Sequence, residues 1–168
     1  LSRQKDKKIS PDLILGLHKV SFSCILPKWA GKLRVIQVAF SGKEAPAFYQ
    51  LSELVMNFCR DTEERISHLP NQDKENFVLD VVALLAWFQH KFVFIHPFQD
   101  YNGRTARMLT ILILLRLGLP PIELRSETES DRRSYLNAMQ KGDQGDLSLL
   151  EKLISQALTE SLENIKNL

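Results

Sequence analysis

His96-Pro97-Phe98-Gln99-Asp100-Tyr101-Asn102-Gly103-Arg104-Thr105-Ala106-Arg107 brings an imidazole, a carboxylate, a turn and two arginines together directly ahead of an apolar run. Pro97 disfavours helix at His96, and Asn102-Gly103 marks a turn. Met108 to Leu117 then reads as a helix whose first turn holds Gly103, Arg104 and Arg107. Unpaired N–H groups and the positive end of the macrodipole make such a helix start attractive to anions. Arg104 and Arg107 are three residues apart, so they project from neighbouring points of one face, where guanidinium forks grip phosphate oxygens.

The residues ahead of the helix supply chemistry. Asp100, a hard oxygen ligand beside a polyphosphate, suits Mg²⁺, which keeps waters and takes one or two carboxylates plus substrate phosphates. His96 can accept a proton near neutral pH. Taken singly, each residue has a plainer reading: Asp100 or Asn102 as a helix cap, the arginines as a solvated face, His96 as a turn residue. Taken together, they point to transfer of a phosphorus group to an acceptor.

The stretch resembles the signature of the Fic (Fic/Doc) family, His-Pro-Phe-x-Asp/Glu-Gly-Asn-Gly-Arg-x-x-Arg, with Tyr101 standing where the family has glycine. Trp29-Ala30-Gly31-Lys32-Leu33-Arg34 resembles the family's segment leading into its flap, and Ile14 to Phe22 the helix before it, so the likeness spans about Ile9 to Leu158. It implies an all-α fold with a short β-hairpin flap, and transfer of AMP from ATP to a protein hydroxyl. By position, His96 would be the general base on a Ser, Thr or Tyr hydroxyl and Asp100 the Mg²⁺ ligand. Asn102, Gly103 and Arg104 would line the anion hole, Arg107 would hold the γ-phosphate, and Phe98 would anchor the loop in the core. Tyr135 would either stack near the nucleotide base or pack its helix.

Position 103 separates two branches of the family. A lysine there accompanies a reversed nucleotide and phosphate transfer, whereas Gly103 resembles the AMP-transferring majority. At position 101 a positive φ would strain a bulky residue by about 1–3 kcal/mol, and the tyrosine ring would either crowd the phosphates or offer them a hydroxyl. Two alternatives follow: a disabled domain that binds nucleotide or protein without turnover, and transfer of another phosphorus group or removal of AMP.

Outward from the signature, Ser10-Pro11 opens a helix to about Ser21. His18 on it reads as structural. Leu33 to Phe40 is rich in β-formers, and Ser41-Gly42-Lys43 turns into Glu44 to Tyr49, giving a hairpin with an irregular second arm. In the family such a flap holds a target protein by strand pairing; an exposed edge at Leu33–Phe40 would do so, and a covered structural hairpin is the equal alternative. Helices follow at about Gln50–Ile66, Glu75–Phe94, Gly103–Leu117, Glu129–Lys141 and Leu147–Asn167. In the last, Thr159, Glu163 and Asn164 fit the family's inhibitory pattern Ser/Thr-x-x-x-Glu-Gly/Asn, in which the glutamate takes the place of the γ-phosphate on Arg107; a solvated Glu163 is the other reading. Inhibition could equally reside in an upstream helix or a separate antitoxin.

Composition sets the outer bounds. A chain of 168 residues, 44% hydrophobic and 25% charged, suits one domain, 1–168, with a substantial core. Net charge of +2 draws it to neither nucleic acid nor an anionic membrane. Leu1 in place of Met suggests a fragment, and no apolar stretch follows the polar start that would make a signal peptide. The apolar runs Phe77–Phe88 and Met108–Leu115 are shorter than the roughly 20 residues that span a bilayer. Cys24 and Cys59 form no metal or disulfide pattern and suit the core of a cytoplasmic protein. His90 with His96 and Asp100 lacks the ligands of a zinc site, so His90 reads as structural. Oligomeric state is not legible.

Overall fold

The computed structural model describes residues 7–124 and 128–166. Helices α1 (Pro11–Phe22), α2 (Leu51–Ser67), α3 (Phe77–Ile95), α4 (Asn102–Arg116), α5 (Glu129–Asp143) and α6 (Ser148–Lys166) dominate, with one two-stranded hairpin, β1 (Ala39–Phe40) and β2 (Lys43–Glu44). The architecture is thus all-α with a small flap. These residues gather into two compact units, one of Lys7–His68 with Lys91–Leu109 and the other of Leu69–His90 with Thr110 onward. Helices α3 and α4 run through both.

The first unit carries the signature. Ser10 caps α1 by accepting the Leu13 N–H at 3.2 Å, and Pro11 occupies the first turn, where its missing donor costs nothing. Ile14, His18 and Phe22 recur every four residues and form the buried stripe of α1. Leu51, Val55, Phe58, Cys59 and Thr62, three or four apart along the helix, form the buried stripe of α2, ahead of which Phe48–Gln50 makes a 3₁₀ turn. Glu63 anchors the chain ahead of α1 by accepting from the Ile9 N–H at 2.7 Å. Gly31 has φ +73, and a Cβ on it would lie 2.6 Å from Cβ of Lys19, so both conformation and space demand glycine.

The hairpin is much shorter than β-propensity predicts. Only Ala39↔Glu44 and Phe40↔Lys43 pair, across a two-residue turn in which Ser41 and Gly42 both have positive φ (48 and 77), as a type I′ turn requires. Leu33 to Val38 is not a strand, because Arg34 spends its backbone N–H on the Pro97 carbonyl at 3.0 Å. The second arm likewise ends as a strand at Glu44; beyond it the arms are joined by the Ala45 N–H donating to the Val38 carbonyl at 3.0 Å and Gln37 Nε2 donating to the Ala45 carbonyl at 2.6 Å.

In the second unit α5 packs against α6. Thr128 caps α5 by accepting from the Asp131 N–H at 3.1 Å. Tyr135, Ala138, Met139 and Gly142 on α5 are buried, as are Leu150, Ile154 and Leu158 of α6. The predicted end of α6 at Asn167 lies outside the described residues. His90 Nε2 is 2.9 Å from Oδ1 of Asp143 and closes over Gly142, where a Cβ would lie 2.5 Å from its ring; the structural reading of His90 holds.

The Phe77–Phe88 run belongs to a 19-residue helix that is long and apolar enough to cross a bilayer by length and composition only, a test that a core helix also passes; half of that window is buried within the protein. One expectation is corrected. Cys24 is exposed rather than part of the core, whereas Cys59 is buried, and burial with the nearby Glu63 charge pushes its thiol up to about 12.

Candidate active site

α3 ends at Ile95 because His96 adopts φ +52, a left-handed turn in keeping with Pro97 excluding helix at that position. His96 Nδ1 lies 3.2 Å from the Val93 carbonyl. An imidazole donating there keeps its proton on Nδ1 and leaves Nε2 as the basic nitrogen. Burial lowers its pKa from 6.5. The Val93 bond and Asp100 oppose that shift, and the Arg34 and Lys43 charges reinforce it, so the ring is neutral and able to take a proton at pH 7. Phe40 of β1 stacks on the ring at 4.1 Å and 13°, and Lys43 Nζ sits 5.0 Å from the Phe40 centroid.

Arg34, 3% exposed, holds this corner together. Its Nε donates to the His96 carbonyl at 2.8 Å, Nη1 to Ile36 at 2.9 Å and Nη2 to Pro46 at 2.5 Å. One fork thereby ties the signature loop to both sides of the flap. Sequence reading found Arg34 only as part of a family-like segment; its one local oddity is a charge inside the apolar run Leu33–Ile36.

The loop after His96 is clamped by its own side chains. Phe98 is fully buried, and Asn102 closes a two-way bond with its backbone, Oδ1 accepting from N–H and Nδ2 donating to the carbonyl, each at 2.9 Å. The Asn102 side chain is therefore a loop clamp, both of its polar atoms taken up by the Phe98 backbone. His18 stacks on Phe98 at 3.7 Å, accepts from the Gly31 N–H on Nδ1 at 3.0 Å and reaches the Asp100 carbonyl with Nε2 at 3.2 Å. It is buried and structural, as expected.

Asp100 is exposed, with Oδ1 accepting the Tyr101 N–H at 2.6 Å and Oδ2 making no bond among the described residues. Tyr101 does have the positive φ foreseen, +61, but its ring stacks on Phe22 at 4.4 Å and carries the Arg104 guanidinium 4.9 Å from its centroid. α4 starts at Asn102, one residue earlier than predicted. A Cβ on Gly103 would meet only Nη1 of Arg107, at 3.7 Å, so the protein itself leaves room for a side chain there. His96, Asp100, Tyr101, Asn102, Gly103, Arg104 and Arg107 line one open pocket of about 390 Å³. Tyr135, Thr159, Glu163 and Asn164 belong to the other unit. There Tyr135 is buried on α5 beside a cavity of about 270 Å³, the Thr159 hydroxyl bonds back to the Ser155 carbonyl, and Glu163 is exposed on α6.

An imidazole with a free Nε2, a carboxylate and two arginines at a helix N-terminus share this pocket, and residues 8–114 match the family model described as Fic/DOC family. The chain belongs to the Fic/DOC family. It is 37% identical over 140 residues to a protein adenylyltransferase Fic of Nematostella vectensis, covering 83% of this chain and 31% of that protein. With protein adenylyltransferase fic-1 of Caenorhabditis elegans identity is 34% over 85% of this chain and 26% of the relative. The chain thus spans about a third or less of the length of these curated relatives. Among solved Fic structures, Fic-1 (aa134–508) of C. elegans superposes with a TM-score of 0.70 at 29% identity, covering 95% of this chain and 45% of that one. A Fic-domain signalling protein of Bacteroides thetaiotaomicron shares the fold, with a TM-score of 0.76 at 21% identity over 96% of this chain and 63% of that one.

Proposed function

We propose that the chain transfers AMP from ATP to a Ser, Thr or Tyr hydroxyl of a target protein. The observation that carries this reading is His96, its Nδ1 on the Val93 carbonyl, in one pocket with Asp100, Arg104 and Arg107. The adenylyltransferase names of its relatives agree with it. Nε2 of His96 takes the hydroxyl proton as the oxygen attacks the α-phosphorus; the bond from that phosphorus to the bridging oxygen breaks, and pyrophosphate leaves with its electron pair. Arg104, Arg107 and the first-turn amides of α4 bind the charge on the phosphates. Space beside Gly103 lets a phosphate approach the backbone.

The pocket suits a magnesium ion held mainly by substrate. It offers one carboxylate, Asp100, with an unbonded Oδ2, and the described residues contain no cluster of three or more His, Cys, Asp or Glu that would cage a metal alone. Asp100 would hold Mg²⁺, which when bound neutralises phosphate charge.

Target protein would dock along the flap, where Val35 and Ile36 are exposed beside the hairpin. Thr159, Glu163 and Asn164 would restrain activity if Glu163 competes for Arg107; an upstream helix or an antitoxin would leave Glu163 without effect. Two free thiols fit a reducing, cytoplasmic setting. Incubation with labelled ATP, Mg²⁺ and lysate proteins tests the whole reading by intact mass. Addition of AMP, roughly 329 Da from the adenylyl chemistry, should vanish in His96→Ala while ATP binding persists. Glu163→Gly should raise transfer several-fold; an unchanged rate would remove the inhibitory role. ATP binding without transfer in every version would favour a binding module.

A further inference from the structure

We propose that Tyr101 is a positioning residue for Arg104, its ring wedged between Phe22 and the Arg104 guanidinium so that this guanidinium is held ready at the wall of the phosphate pocket. The inference deepens the AMP-transfer reading and takes Mg·ATP as the ligand.

A bulky residue at φ +61 persists only where its surroundings over-determine it. Here both the backbone and the ring of Tyr101 are held. Its N–H donates to Oδ1 of Asp100 at 2.6 Å, and its carbonyl accepts both the N–H and the Oγ1 hydroxyl of Thr105, each at 2.9 Å. One face of the ring lies on Phe22 at 4.4 Å and 24°. Phe22 in turn meets His18 edge-on at 5.0 Å, and His18 stacks on Phe98 at 3.7 Å. A continuous ladder of rings thus runs from the buried Phe98 to Tyr101, and the guanidinium of Arg104 is its last rung, 4.9 Å from the Tyr101 centroid.

The arrangement separates the two roles open to a tyrosine here. With one ring face on Phe22 and the guanidinium near the ring, the side chain serves the arginine through its π-system, which attracts a cation. An arginine ordered before the ligand arrives loses less side-chain freedom on binding phosphate. Glycine at this position would relieve the backbone and leave Arg104 without its rest.

Equilibrium binding of Mg·ATP, measured by calorimetry in a His96→Ala background so that nothing turns over, tests this. Tyr101→Phe should bind like its parent, since the ring and not the hydroxyl acts. Tyr101→Gly should weaken binding roughly two- to five-fold, the size of one partly exposed cation–π contact. Tyr101→Asn, which tolerates positive φ but lacks the ring, should match it. In an Arg104→Ala background Tyr101→Gly should cost nothing further, because the two act as one unit. Equal or tighter binding by Tyr101→Gly would show an inert or obstructing ring and overturn the proposal, as would an equal loss with Arg104 absent, the mark of general loop support. Failure of the parent to bind Mg·ATP would sink the transfer reading and this inference together.

Discussion

His18 and His96 are both withdrawn from water, and each has a pKa lowered from 6.5 chiefly by burial. For His18 the bond to the Asp100 carbonyl and the Asp100 charge oppose the shift without reversing it. Protonation of His18 would also remove the Nδ1 lone pair that accepts from Gly31. A lowered histidine pKa means that the unfolded chain binds protons first as pH falls, so the stability contributed is present above 6.5 and is lost in the window below it. Denaturation midpoints should therefore be flat from about pH 8 to about pH 7 and fall toward about pH 5.5. His18→Gln should flatten that fall. Persistence of the full slope would show that other groups carry it. The acidic limb of the transfer rate, where His96 becomes protonated, should likewise lie below 6.5.

The flap shows how little its own pairing holds it. With two paired positions, an isolated hairpin of this size is marginal. Arg34 substitutes for a sheet by binding the carbonyls of Ile36 and Pro46 from one side and His96 from the other. Lysine has the charge but not the planar fork. Arg34→Lys should cost about 1–3 kcal/mol of stability, the penalty for buried acceptors left unsatisfied, and should lower AMP transfer by loosening His96. Urea unfolding together with transfer rate checks both, and an unaltered Arg34→Lys protein would show that the flap is held elsewhere. Leu33 to Phe40 reads as a strand because its residues favour one; a strand also needs a partner backbone, and here the Arg34 N–H has gone to Pro97. The helices needed no such partner to be legible, since caps such as Ser10 and Thr128 and four-residue apolar stripes act within a segment.

Each compact unit is assembled from separate stretches of chain, and each owns part of α3 and α4. Neither can unfold without withdrawing a length of helix from the other, so one cooperative transition is expected. Trp29 lies in one unit and Trp87 in the other, so Trp29→Phe and Trp87→Phe each leave a reporter for a single unit. Their urea curves should share a midpoint; separated midpoints would show two independent folding units. Local sequence determined the helix starts to within a residue or two, the end of helix before Pro97 and the gathering of His96, Asp100, Arg104 and Arg107 within one turn-and-helix segment, because those depend on neighbours a few residues away. Only the tertiary structure decided which groups Arg34, His18 and Tyr101 touch. Arg34 reaches His96 across 62 positions and His18 reaches Asp100 across 82, and bonds between such distant residues leave no trace in propensity or periodicity.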